Sequence, residues 1–324
     1  MTTDVTGFRR ILLAVNDSGE SAGAISSIAV LASGTDAEVL VLNVWNGEAP
    51  EPRGAAEQLV AQIATRLAAQ GIAATAKVRV GRRTKVAETI ERVAAQYLPD
   101  LVALGSRGRG DLTGLALGSI SRRVLERVDC AILLGHERNP GPGGKLTRIL
   151  LALAGNDGDS AALEAASAIA LPHKSSVLVL HVLRTLMDTT GSAYLLPAVA
   201  TAEVLAPAVR TLREQGVDAE EVVVPGSAPG TIVEIARNNG ADLIVLGPGR
   251  RPSTLTGLVL GDTVNQIIHL SDRPVLVAAA KHRLSAATVN VGRRSRRKVL
   301  TSTCRGAQRP SRGRIAALAP EIVE

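Results

Sequence analysis

The chain repeats itself. Arg10-Ile11-Leu12-Leu13-Ala14 returns as Arg148-Ile149-Leu150-Leu151-Ala152, and Val39-Leu40-Val41-Leu42-Asn43-Val44 returns as Val177-Leu178-Val179-Leu180-His181-Val182. Gln70-Gly71-Ile72 reappears as Gln215-Gly216-Val217, Asp100–Gly105 as Asp242–Gly247, and Leu112–Gly118 as Leu255–Gly261. The offset stays between 138 and 145 residues, so one fold is used twice. With 324 residues, 46% hydrophobic and 21% charged, each copy has the material for its own core.

Within the first copy, Ile11–Val15, Val39–Val44, Thr75–Val80, Leu101–Gly105 and Ala131–Leu134 are near-continuously apolar, the pattern of strands buried on both faces. Ser21–Ala32, Ala55–Ala69, Lys85–Gln96 and Ser119–Val128 carry helical spacing between them; Ile120, Val124, Leu125 and Val128 share one face. Alternating β and α units give an α/β fold: two tandem doubly wound domains, each a five-stranded parallel sheet with helices on both faces. The expected boundaries are 1–138 for the first domain, 139–146 for a Gly/Pro linker, 147–280 for the second domain and 281–324 for a basic, disordered tail. Ligands in such sheets bind beyond the carboxyl ends of the strands, where the strand order reverses.

The net charge of +7 belongs to the tail. Lys281–Glu324 holds 11 of the 37 basic residues and 2 of the 30 acidic ones, which leaves the other 280 residues at 26 against 28. Such a tail suits weak, electrostatic attraction to nucleic acid or another anionic surface, without base reading, since no aromatic residue follows Tyr194. Phe8, Trp45, Tyr97 and Tyr194 are too few for function by base stacking. No uncharged run reaches the 18 to 20 residues of a membrane span, and Ile11–Val15 is too short for a signal-peptide core, so the expected setting is cytoplasmic. Cys130 and Cys304 support neither a disulfide framework nor a zinc site; Cys130 reads as a buried small hydrophobe.

The chemistry concentrates after the fourth apolar run. Gly105-Ser106-Arg107-Gly108-Arg109-Gly110 leads through Leu117 to Gly118-Ser119 at a helix start. Glycines let the backbone approach an anion, and successive amides with a helix N-terminus supply donors for phosphate. Neither GxGxxG nor a Walker loop occurs.

Gly105-x2-Gly108-x9-Gly118-Ser119 resembles the G-x2-G-x9-G-[S/T] nucleotide motif of the universal stress protein family. With the wording around it, the resemblance covers residues 8–280, both copies. It implies a five-stranded parallel sheet, ATP with Mg2+ as ligand, dimerisation through the last strand and a regulatory role in stress survival. By position it places Gly105 and Gly108 near phosphates and ribose, with Leu104 and Arg107 beside them. Gly118, Ser119, Ile120 and Ser121 would cradle the phosphates, and Val44 would contact adenine. Asn16, two residues beyond Ala14, stands where the family usually has a nucleoside-binding Asp.

The second copy departs from the motif. Arg250 replaces the second glycine, Asp262 the hydroxyl residue and Ala154 the nucleoside-binding Asp, so one ATP per chain is expected. Catalysis is not argued by any spacing: His136, His173, His181, His269 and His282 are scattered, and Asp111 and Asp129 offer at most help to a nucleotide-bound Mg2+. The leading expectation is an ATP-binding regulatory module, its second repeat structural or partner-binding, acting as a homodimer or intrachain pseudo-dimer with an unknown protein partner. A slow ATPase or nucleotidyl-transfer enzyme, and a nucleic-acid-associated protein working through the tail, are the alternatives.

Overall fold

Strands form where apolar runs are long enough to be buried from both sides, and the computed structural model shows where the chain stacks them. It describes residues 7–16, 21–47, 52–106, 118–136, 145–187, 193–195, 199–248 and 261–279; the linker glycines, Arg107, Gly108, Asp111 and the tail lie outside these. The first repeat runs β1 (Arg10–Val15), α1 (Ser21–Ala32), β2 (Glu38–Trp45), α2 (Arg53–Ala68), β3 (Ala73–Val80), a 3-10 turn at Arg83–Lys85, α3 (Val86–Tyr97), β4 (Leu101–Gly105), α4 (Ser119–Leu125) and β5 (Ala131–Gly135). The second runs β6 (Arg148–Ala152), α5 (Asp159–His173), β7 (Ser176–Met187), β8 (Ala193–Leu195), α6 (Val199–Glu214), β9 (Ala219–Gly226), α7 (Ala228–Asn238), β10 (Leu243–Leu246), α8 (Asp262–Leu270) and β11 (Val275–Val277).

The first repeat orders its strands β3-β2-β1-β4-β5, all parallel, and the second mirrors it as β11-β10-β6-β7-β9. The two halves join inside the chain: β5 pairs antiparallel with β11, with Val275 opposite Leu134, Leu276 opposite Leu133 and Val277 opposite Ile132. The last strands of the two repeats thus pair with each other within one chain.

Period-two alternation sorts each strand between two cores. Ile11, Leu13 and Val15 of β1 point to a core covered by α1, α2, α5 and α6. Leu12 and Ala14 point to the opposite core, covered by α3, α4, α7 and α8. Each core runs across both repeats. Leu13, Leu133 and Leu151 lose all solvent exposure in the first, and each such burial contributes about 1.5–3 kcal/mol.

Two features differ from the sequence reading. Thr75–Val80, expected to be buried on both faces, is the outer edge of the sheet, and Val80 is exposed. Its Lys77 and Arg79 are tolerated because one flank of an edge strand stays in water. The second repeat also gains a sixth strand: β7 pairs with β9 as far as Arg184, then continues into an antiparallel pairing with β8.

Candidate functional site

Strand order reverses between β1 and β4, because β2 and β3 lie to one side and β5 to the other. The carboxyl ends of these strands carry the residues singled out above. Ala14, Val44 and Leu104 are each the penultimate residue of β1, β2 and β4, and all three belong to the α3/α4 face of the sheet. Ala14 and Leu104 are buried, whereas Val44 is half-buried. A methyl built on Gly81 would lie 2.7 Å from Val44 Cγ1, so only glycine lets the turn after β3 close over that side chain.

Asn16 follows β1 and is tied to the start of α1. Its backbone N–H donates to Ser21 Oγ at 3.0 Å, and Ser21 Oγ donates to Asn16 Oδ1 at 2.7 Å. These bonds fix the side chain beside the switch point.

The glycine loop is closed at its base. Gly118 N–H donates to the Ser106 carbonyl at 3.1 Å, and Ser106 N–H donates to the Gly135 carbonyl at 3.0 Å. Ser121, buried, donates its hydroxyl to the Gly105 carbonyl at 2.8 Å. That hydroxyl therefore anchors α4 to the end of β4, while Ser119 and Ile120 are exposed. Gly118 precedes the helix with φ −52° and ψ 138°, and no side chain caps it. The first intrahelical bond runs from Arg122 N–H to the Gly118 carbonyl at 3.0 Å. The N–H groups of Ser119, Ile120 and Ser121 thus have no acceptor within the helix.

His136 joins this cluster, which its isolation in the sequence did not indicate. It follows β5 directly, is buried, and its Nδ1 lies 3.4 Å from Ser106 Oγ. Asp129 is exposed, and no cluster of three His, Cys, Asp or Glu suited to a metal occurs among the described residues. Cys130 is half-buried, and burial pushes its thiol up to about 12, which keeps it protonated and unreactive at neutral pH.

At the corresponding end of the second repeat, the loop after β6 is held by its own side chains. Asp159, at the position of Ser21, accepts from three loop amides: Ala154 at 3.0 Å, Gly155 at 2.7 Å and Asn156 at 3.2 Å. A methyl on Gly158 would lie 2.9 Å from Pro248 Cδ, and one on Gly247 would lie 2.8 Å from the Gly158 carbonyl. The start of α5 is therefore pressed against the end of β10. Asp262 opens α8 after an uncapped Gly261. His181 Nδ1 lies 2.9 Å from the Leu153 carbonyl, the same bond that Asn43 Nδ2 donates to the Val15 carbonyl at 3.0 Å in the first repeat. Both side chains pack the end of a strand.

A doubly wound half-sheet used twice, with Gly105 and Gly118 at the first switch point, defines a class of tandem α/β proteins. The sequence profile of the universal stress protein family matches residues 7–135 and 145–279, so the chain belongs to that family and carries its domain in tandem. A universal stress protein of Mycobacterium bovis is 28% identical over 223 residues, 63% of this chain and 72% of that protein. One from Bacillus subtilis is 29% identical over 144 residues, 40% of this chain and 97% of that protein. Among solved structures, a universal stress protein from Archaeoglobus fulgidus covers 84% of this chain and 98% of its own length, with TM-score 0.67 and 21% identity. A chain from Pseudomonas aeruginosa covers 85% of this one and 94% of its own length, with TM-score 0.62 and 20% identity. Both likenesses are of fold. No helix among the described residues is long and apolar enough to cross a membrane.

Proposed function

We propose that the protein is an ATP-binding regulatory module of stress response, with one nucleotide in the first repeat and the second repeat structural or partner-binding. The observation that carries this is the contrast between the two switch points. In the first, an uncapped helix start follows the glycine motif, its leading amides have no helical acceptor, and the loop base is pinned by Gly118, Ser106 and Ser121. In the second, Asp159 takes three loop amides and Asp262 brings a carboxylate to the helix start, where it competes with phosphate.

The donor set of the first repeat suits a polyphosphate: neutral N–H groups and the Ser119 hydroxyl, with no carboxylate in the first turn of α4. Val44 and Ala14 offer an apolar surface to a base, and Asn16 offers an amide to base or ribose. A Mg2+ would arrive with the nucleotide rather than on a protein cluster.

Gly118→Ala and Ser119→Asp test the assignment. The Gly118 dihedrals are open to alanine and Ser119 is exposed, so both variants should keep the wild-type circular dichroism. Each is expected to weaken ATP at least about tenfold, or about 1.4 kcal/mol. Unchanged affinity in both would remove the site.

A further inference from the structure

The seam consumes the outer edges of β5 and β11, the strands through which two such domains join. Among the described residues, two long edges stay open: β3, paired only with β2, and β9, paired only with β7. An open edge is a row of backbone donors and acceptors that another strand can complete.

The two edges carry opposite charge. From Ala73 to Lys85 the chain holds Lys77, Arg79, Arg82, Arg83 and Lys85 and no acid; from Val217 to Gly226 it holds Asp218, Glu220 and Glu221 and no base. Arg79 and Val80 of β3 are exposed, as are Glu220, Glu221 and Val223 of β9. Like charges placed opposite each other disfavour β3 on β3 and β9 on β9, whereas the unlike pair is attracted.

We propose that a second copy of this chain docks its β9 along β3 of the first, antiparallel, so that the sheet continues from molecule to molecule. Direction follows from topology. β3 runs parallel to the strands of its repeat and β9 to those of its own, while the seam between repeats is antiparallel. A copy shifted along the sheet therefore brings β9 antiparallel to β3, with the acidic start of one against the basic end of the other. Faces agree as well. Arg79 lies opposite Val44 and Glu220 opposite Leu178, both on the α3/α4/α7/α8 side. Setting Glu220 against Arg79 places exposed Val223 against Ala76 on the other side. Glu220 already meets Arg148 at 3.1 Å, and its side chain stays 60% exposed, open to a second cation. Because the two edges differ, each contact leaves one β3 and one β9 free, so association runs on into chains instead of closing as a dimer.

Sedimentation velocity on the full chain tests this. At low salt the weight-average mass should rise with concentration past that of two chains, and about 0.5 M salt should return it to one. The double variants Lys77→Glu/Arg79→Glu and Glu220→Lys/Glu221→Lys should each lose association with circular dichroism unchanged. An equimolar mixture of the two should regain it, since reversed edges are again complementary. A wild-type chain that stays single at low salt, or stops at a dimer, overturns the proposal. So do folded variants that associate as the wild type does, or a mixture that stays dispersed.

Discussion

Asp100 and Asp242 show what the repetition preserves at single positions. Asp100 accepts from the backbone N–H groups of Arg9 at 2.8 Å and Arg10 at 3.0 Å, tying the start of β1 to that of β4. Asp242 does the same for Thr147 at 2.7 Å and Arg148 at 3.0 Å, and adds the Thr147 hydroxyl at 2.8 Å. Removing either carboxylate leaves backbone donors without their acceptor, at a cost of about 1–3 kcal/mol. Asp242→Ala should cost more than Asp100→Ala in denaturant unfolding, because Asp242 is more buried and holds one more donor. Cys130 yields a second prediction. An unfolded thiol ionises near about 8.5, whereas the folded one holds its proton up to about 12. Folding thus binds a proton, and its contribution to stability falls as pH rises through that window. In a Cys304→Ser chain, iodoacetamide at pH 8 should label Cys130 only after denaturant is added. The recurrence of the aspartates was plain in the sequence, but their task was not, since their partners lie 90 or more residues away. Ser121 teaches the same point: its place in the motif suggested phosphate, and its hydroxyl turns inward to Gly105.

Among the elements, the strands were most legible where burial is complete. β1, β4 and β5 begin and end within a residue of their apolar runs, because both faces need apolar side chains. β3 was legible as a strand but not as an edge, and β8 had no counterpart in the first copy to announce it. The lie of the helices was hidden too, for it depends on clearance between distant segments. A methyl on Gly23 of α1 would lie 2.0 Å from the His136 carbonyl oxygen, and one on Gly135 would lie 2.1 Å from the Ala24 nitrogen. Helix and strand therefore touch backbone to backbone, directly behind the loop base. The second copy has Ala161 and Ala278 at these positions, so its α5 cannot settle onto the last strand in that way. Gly135→Ala should lower stability by about 1–3 kcal/mol or more, as overpacking does. It should also weaken ATP, because Gly135 holds Ser106; a stable variant with normal affinity would show that the contact is dispensable.

At the scale of the whole molecule, the two cores pass through the seam, and each is built from residues of both repeats. Equilibrium unfolding of the full chain should be a single transition, with fluorescence of Trp45 in the first repeat and far-UV circular dichroism coincident. Two separated steps would mean that the repeats fold independently. The tandem origin was legible because the strings recur; their divergence of role shows only in the hydrogen bonds, where Ser21 serves Asn16 and Asp159 fills the loop of its own repeat. On the proposed function, the first repeat takes ATP and the second does not. Calorimetric titration of ATP into the full chain tests it most directly through stoichiometry. One ATP per chain, lost in Ser119→Asp, is the expected result. Two per chain would contradict the closure of the second repeat, and none would contradict the site itself.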